Sequence, residues 1–148
     1  MRSSVLLLSL SLLMIALPSV MAEEVPHVAT ETVKKFHEAL AAQEKEGVLA
    51  VLSTDVLIFE SGGAEFSREE YAGHHLGADM EFSAAIDRKI TDQQAGQDGQ
   101  VAWVLTRTAT TGTFREKEID ARGVETMLLR HTAEGWKIFH IHWSSRAK

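Results

Sequence analysis

Cysteine is absent from the 148 residues, so neither a disulfide nor a thiol for lipid attachment is available. Positive charge is scarce and dispersed: 15 Lys and Arg stand against 21 Asp and Glu, for a formal net charge of −6. With the bases scattered singly rather than aligned in a stripe, no nucleic-acid partner is expected. Long apolar runs are also missing, apart from Val5 to Ala16, which falls short of the roughly 20 residues that cross a bilayer. That run follows a basic Met1-Arg2 start and leads through Pro18 to Val20-Met21-Ala22, with Glu23 and Glu24 directly behind it. The layout is that of a secretory signal peptide over residues 1–22, cleaved after Ala22. The mature chain, residues 23–148, is then expected in the periplasm or outside the cell with no membrane anchor, and loss of Arg2 leaves it more acidic than the precursor. There is no repeat, low-complexity tract or linker, and the mature length suits one domain around one core.

What is present reads as helices first and strands afterwards. Val33, Phe36 and Leu40 recur at helical spacing, and Thr30 or Thr32 is available as a cap, so a long amphipathic helix is expected from Thr30 to about Lys45, broken by Gly47. A short helical turn through Leu49 and Leu52 follows. Val56 to Glu60 is a strand, closed by a turn at Ser61-Gly62-Gly63. Ser67 and Glu70 have capping-box spacing, which predicts a second helix from Arg68 to about Leu76. Phe82 to Asp92, Val101 to Thr111, Ile119 to His131 and Trp136 to Ser144 are predicted strands. Between them lie a polar loop over residues 93–99, a turn over residues 112–117 and a tight connection at Ala133-Glu134-Gly135. The expected class is α+β.

This order, with Thr54-Asp-Val-Leu-Ile-Phe-Glu-Ser-Gly62 and Gly135-Trp-Lys-Ile-Phe-His-Ile-His-Trp-Ser144 as its most specific parts, resembles the nuclear transport factor 2-like superfamily. Within it, the nearest likenesses are the SnoaL-like and ketosteroid-isomerase-like groups. The resemblance covers nearly all of residues 23–148. It implies a cone-shaped, curved antiparallel sheet packed against a long N-terminal helix and two shorter helices, and homodimers are common among such relatives. It also implies that Trp143 lines the cone. Period-two alternation then puts Phe139 and Ile141 inside with it, and Trp136, Ile138, His140 and His142 outside. By the same likeness Val101, Trp103, Leu105 and Arg107 point inward, as do Val124, Thr126, Leu128 and Arg130, together with Val56, Ile58 and Glu60. His74 falls at the cavity mouth.

The scaffold serves enzymes, binding proteins and assembly domains, so chemistry has to be argued from side chains. A mainly apolar cavity walled by Trp103, Phe139 and Trp143, with polar points at Glu60, His74, Arg107 and Thr126, suits a small amphipathic molecule. The first expectation is therefore an exported binding protein without a cofactor. Glu60 falls where isomerase-like relatives carry a carboxylate base, and an apolar cavity would raise its pKa. With His74 as partner, it would support an isomerase-, cyclase- or lyase-like proton transfer. The bland reading pairs Glu60 with Arg107 or leaves it in water, and Arg107 itself either anchors a ligand carboxylate or snorkels to the rim. Steroid isomerisation is disfavoured, because the positions that supply oxyanion donors in relatives fall here on Phe36 and Thr126.

A third reading is a copper or zinc site. His140 and His142 project from one face, Met127 offers a neighbouring sulfur, and His74, His75, Asp79 and Met80 form another candidate set. The competing assignment for the strand histidines, with Trp136 and Ile138, is a homodimer contact. His27, His37 and His131 receive no role.

Overall fold

Residues 24–148 are described by a computed structural model; the leader read at residues 1–22 lies outside the described residues. In chain order the elements are α1 (Glu24–Ala41), α2 (Lys45–Val51), β1 (Leu52–Glu60), β2 (Gly63–Glu65), α3 (Arg68–Gly73), α4 (Leu76–Ala85), β3 (Ile86–Asp98), β4 (Val101–Phe114), β5 (Lys117–Thr132) and β6 (Gly135–Ala147). The strands form one curved, unclosed sheet in the order β2-β1-β6-β5-β4-β3. Every neighbouring pair is antiparallel except β1 and β6, which run parallel. The architecture is α+β, as expected.

The first helix forms for the predicted reason. Val33, Phe36 and Leu40 are at most 2% exposed, and each contributes about 2 kcal/mol on leaving water. Its ends differ from expectation. Thr30 and Thr32 stand inside the helix, their hydroxyls donating back to the carbonyls of Pro26 and Val28 at 3.1 and 2.9 Å. Pro26 is tolerated in the first turn, where its missing N–H would have no helical partner. The helix stops at Ala41 because Gln43 turns left-handed (φ 58°). Gly47 does not break it but belongs to α2, where a Cβ would meet the Ala39 Cβ at 3.1 Å; the bare backbone lets the two helices approach.

Ser67 caps α3 as read, accepting from the Glu70 N–H at 3.0 Å, while the Glu70 carboxylate accepts from the Phe66 N–H at 2.8 Å. The stretch from Phe82 was expected to be extended, yet Leu76–Ala85 is helical and the strand begins at Ile86. The polar segment over residues 93–99 is no loop either. It belongs largely to β3, an edge strand whose polar side chains suit its open side.

The buried face of the sheet carries Val56 and Ile58 on β1, Ala102, Val104, Thr106 and Thr108 on β4, Glu125, Met127 and Leu129 on β5, and Ile138 and Ile141 on β6. The parity read for β4 and β5 is therefore reversed: Val101, Leu105 and Val124 are exposed, and Arg107 lies on their side. The β6 assignment fails locally for a different reason. Leu128 pairs with His140 but Leu129 with Ile138, so Phe139 bulges out of the ladder and the faces exchange there. Ile138 is buried and Phe139 is turned outward, under the Arg130 guanidinium 4.4 Å from its ring centroid.

Candidate functional site

The inner face of the sheet, α1 and α4 enclose a cavity of about 160 Å³, with Trp143, Phe82, Ile86 and Leu40 as its main apolar walls. Trp143 is set by two contacts. Its ring stacks on Phe36 of α1 at 6.1 Å between centroids, and its indole N–H donates to Glu125 Oε2 at 2.7 Å. Gly123 keeps part of the floor open, since a Cβ there would approach the Thr108 hydroxyl to 2.7 Å.

Glu125 is the polar centre of this floor. It is 5% exposed, and besides Trp143 it receives Arg88 Nη2 on Oε1 at 3.2 Å. His37 Nε2 lies 2.8 Å from Oε2, but its N–H is misdirected, so the contact is one of proximity rather than an aligned hydrogen bond. Burial alone would raise the Glu125 pKa; His37, Arg88 and Trp143 outweigh it and hold the carboxyl below its ordinary 4.5. Arg88 is lowered from its ordinary value by burial, with Glu125 opposing. Four elements, α1, β3, β5 and β6, thus meet on one carboxylate.

Glu60, Asp79 and Trp143 are shared with a second hollow of about 170 Å³ toward β2 and α3. Here the fully buried Tyr71 donates its hydroxyl to Asp79 Oδ2 at 2.8 Å, and Glu65, 4% exposed, meets His75 Nδ1 at 2.5 Å. Glu60 is reachable by solvent as a residue, yet desolvation first, and then repulsion from Asp79, raises its pKa. Desolvation raises Asp79 as well, against the Tyr71 hydrogen bond and His75. The Tyr71 phenol is pushed far up by burial and the neighbouring acids, so it stays a neutral donor. His75 is raised chiefly by its hydrogen bond to Glu65. A groove between α1 and β3, about 440 Å³, adjoins the first cavity and shares His37, Ser83, Ile86 and Arg88 with it.

Of the residues singled out from the sequence, Glu60 and Trp143 line the cavity, and Ile141 is core beneath it. Trp103, Arg107, Thr126 and Phe139 are on the opposite face of the sheet, because the register ties them to the outward side. Trp103 lies across Gly96 of β3, whose added Cβ would fall 2.3 Å from the indole. His74 is exposed at the C-terminal end of α3 and lines neither hollow; its neighbour His75 takes the position at the mouth.

His140 and His142 both project outward, His140 edge-on to Phe59 at 5.3 Å. Burial lowers the His140 pKa, favouring the neutral ring. Met127 is fully buried on the other face and cannot join them. Among the described residues no group of three or more His, Cys, Asp or Glu is arranged to hold a metal ion.

Sequence reasoning missed His37, Arg88, Tyr71 and Glu125, and it named Asp79 only as a candidate metal ligand. For two of them a signal existed: His37 falls four residues after Val33 and three before Leu40, within the buried helical stripe, and Glu125 interrupts the mainly apolar run from Val124 to Leu129. The others needed the tertiary fold.

Comparison with known proteins adds the lineage. The model of the SnoaL-like domain matches residues 29–148. A Shewanella frigidimarina protein provisionally named a ketosteroid isomerase superposes with a TM-score of 0.76 at 36% identity, covering 78% of this chain and 94% of that one. A nuclear transport factor 2-like protein of unknown function from Pseudomonas putida superposes at 0.71 with 15% identity, covering 84% of this chain and 88% of the other. The CaMKII hub of S. rosetta superposes at 0.69 with 18% identity, covering 88% and 100%. No curated protein shows significant similarity to the chain. The chain belongs to the SnoaL-like family of the nuclear transport factor 2-like superfamily.

Proposed function

We propose that this protein is exported and takes up a small, partly apolar molecule in the cavity beside Trp143. The observation that carries the reading is the cavity itself: open space walled by Trp143, Phe82 and Ile86, with its buried acid Glu125 already satisfied by protein donors. Space bounded by rings and a few oriented polar groups is what a small-molecule site requires. Native mass spectrometry of freshly isolated protein is the test. A retained mass that disappears in a Ser83→Phe variant, which fills the cavity from α4, is expected. A protein that is empty and takes up nothing from a broad metabolite panel would remove this reading. Export is supported by the leader pattern over residues 1–22, and the mature mass should begin at Glu23.

A second reading is an enzyme that transfers a proton without a cofactor. It is favoured by Glu60, a carboxyl of raised pKa at the junction of both hollows, and by the likeness to the Shewanella protein. Asp79, held by Tyr71, replaces His74 as the partner in this version. Phe36 is packed in the core and Thr126 faces outward, so neither supplies an oxyanion donor. Glu60→Gln that retains ligand but loses turnover would support catalysis; full turnover in that variant would end it.

The outer sheet face is the proposed homodimer surface. Leu57, Phe59, Leu105 and Val124 are 36–53% exposed there, and the hub and association domains among the structural relatives are assembly modules by name.

A further inference from the structure

We propose that the occupant of the cavity is a small organic cation: an amine, protonated at neutral pH, carrying an aromatic or aliphatic body. The inference rests on the binding reading above and names its ligand class. Glu60, Asp79 and Trp143 stand between the two adjoining hollows. Arg88 is the one Lys or Arg among their described lining residues, and it is committed to Glu125. Glu65 is likewise matched by His75. That leaves Glu60 and Asp79, which line both hollows and form no ion pair among the described residues. The Tyr71 hydroxyl donates to Asp79, but it brings no charge.

An anionic guest entering here would find no free cation and two carboxyls of its own sign. A buried or half-buried charge is costly unless paired and hydrogen-bonded. An ammonium head meets the opposite situation. It brings donors to two carboxyls that have none of positive charge, and it relieves the repulsion between Glu60 and Asp79, which adds to desolvation in raising the Glu60 pKa. Its body has a place as well, since Trp143 and Phe82 flank the same space, and an indole face adds attraction for a cation. Arg107, the group that would have anchored a carboxylate ligand, is on the outer face of the sheet.

Three probes of similar shape separate the possibilities: 2-phenylethylamine, 2-phenylethanol and phenylacetate, each titrated into the mature protein by calorimetry at neutral pH. The amine is expected to bind at least about tenfold more tightly than the alcohol, with phenylacetate weakest, as the loss of a charge-assisted hydrogen bond implies. Glu60→Gln and Asp79→Asn should each weaken the amine by about tenfold and the alcohol, which brings no charge, by much less. Ser83→Phe should abolish binding of the amine. Equal or tighter binding of the alcohol or of phenylacetate, blocked by Ser83→Phe, would overturn the cation and leave the cavity reading standing. Amine binding that survives Ser83→Phe would place it outside the cavity and overturn the inference. Failure of all three probes, with an empty protein in native mass spectrometry, would overturn both.

Discussion

Removing a carboxylate from water costs several kcal/mol unless donors replace its hydration, and Glu125 has obtained them from Arg88 on β3 and Trp143 on β6, with the His37 ring of α1 close by. Its depressed pKa fixes the sign of its pH dependence. The folded state holds the Glu125 proton less tightly than the unfolded chain, so its stabilisation is complete above the ordinary 4.5 and fades as pH falls below that value toward the folded one. A Glu125→Gln variant strands the half-buried Arg88, and urea denaturation at pH 7 should show a loss of about 3 kcal/mol. Trp143 emission should shift at the same time, because its N–H partner has changed.

Glu60 has the opposite sign. Its folded pKa is raised, so the unfolded chain gives up its proton first, and stability falls as pH rises from 4.5 through the folded value. Glu60→Gln should therefore melt above the wild type at pH 7, with the gap closing well below pH 4.5; a variant that melts lower at pH 7 would show that Glu60 is structural. An acid held at a stability cost is what a functional position commonly looks like.

Among the elements, α3 is short enough that its cap matters. Ser67 satisfies the Glu70 N–H, and Glu70 reaches back to Phe66, so the start of the helix is fixed by two reciprocal contacts. Ser67→Ala should cost about 1 kcal/mol in chemical denaturation. Because α3 carries Tyr71, the same variant should loosen Asp79, and a measurable change in ligand affinity is expected beside the stability loss. Strand orientation is also decided at this scale. Ile141 pairs with Met127, Met127 with Val104, Trp143 with Glu125 and Glu125 with Thr106, and directly paired residues share a face. Once Ile141 and Trp143 are inside, the whole buried row follows. The alternation within β4 and β5 could not reveal this alone, since apolar residues such as Val101, Leu105, Val124 and Leu128 occupy the outward positions too.

For the whole molecule, that outward row is the consequence to test. A monomer showing water Leu57, Phe59, Leu105 and Val124 on one sheet face carries the kind of patch that associates. Light scattering should report a dimer for the mature protein and a monomer for Leu105→Glu, with the cavity ligand retained in the variant. A wild type that stays monomeric at high micromolar concentration would remove the dimer proposal.

From the residues themselves came the α+β class, the buried stripe of α1, the Ser67 cap and the turn after Glu60, while the cavity positions of Glu60 and Trp143 came from the family resemblance. The first four depend on local chemistry: helical spacing, a side chain bonding its own backbone, or turn residues closing a short strand. What the tertiary structure decided was register. The bulge at Phe139 reverses parity within one strand, and cross-strand pairing propagates orientation over the sheet; neither leaves a mark in a single segment. Register carried Trp103, Arg107, Thr126 and Phe139 outward and brought Glu125 into the floor. It also gave Glu125 its partners, because Arg88 and His37 lie 37 and 88 residues away in the chain and meet it only when the sheet has folded over α1.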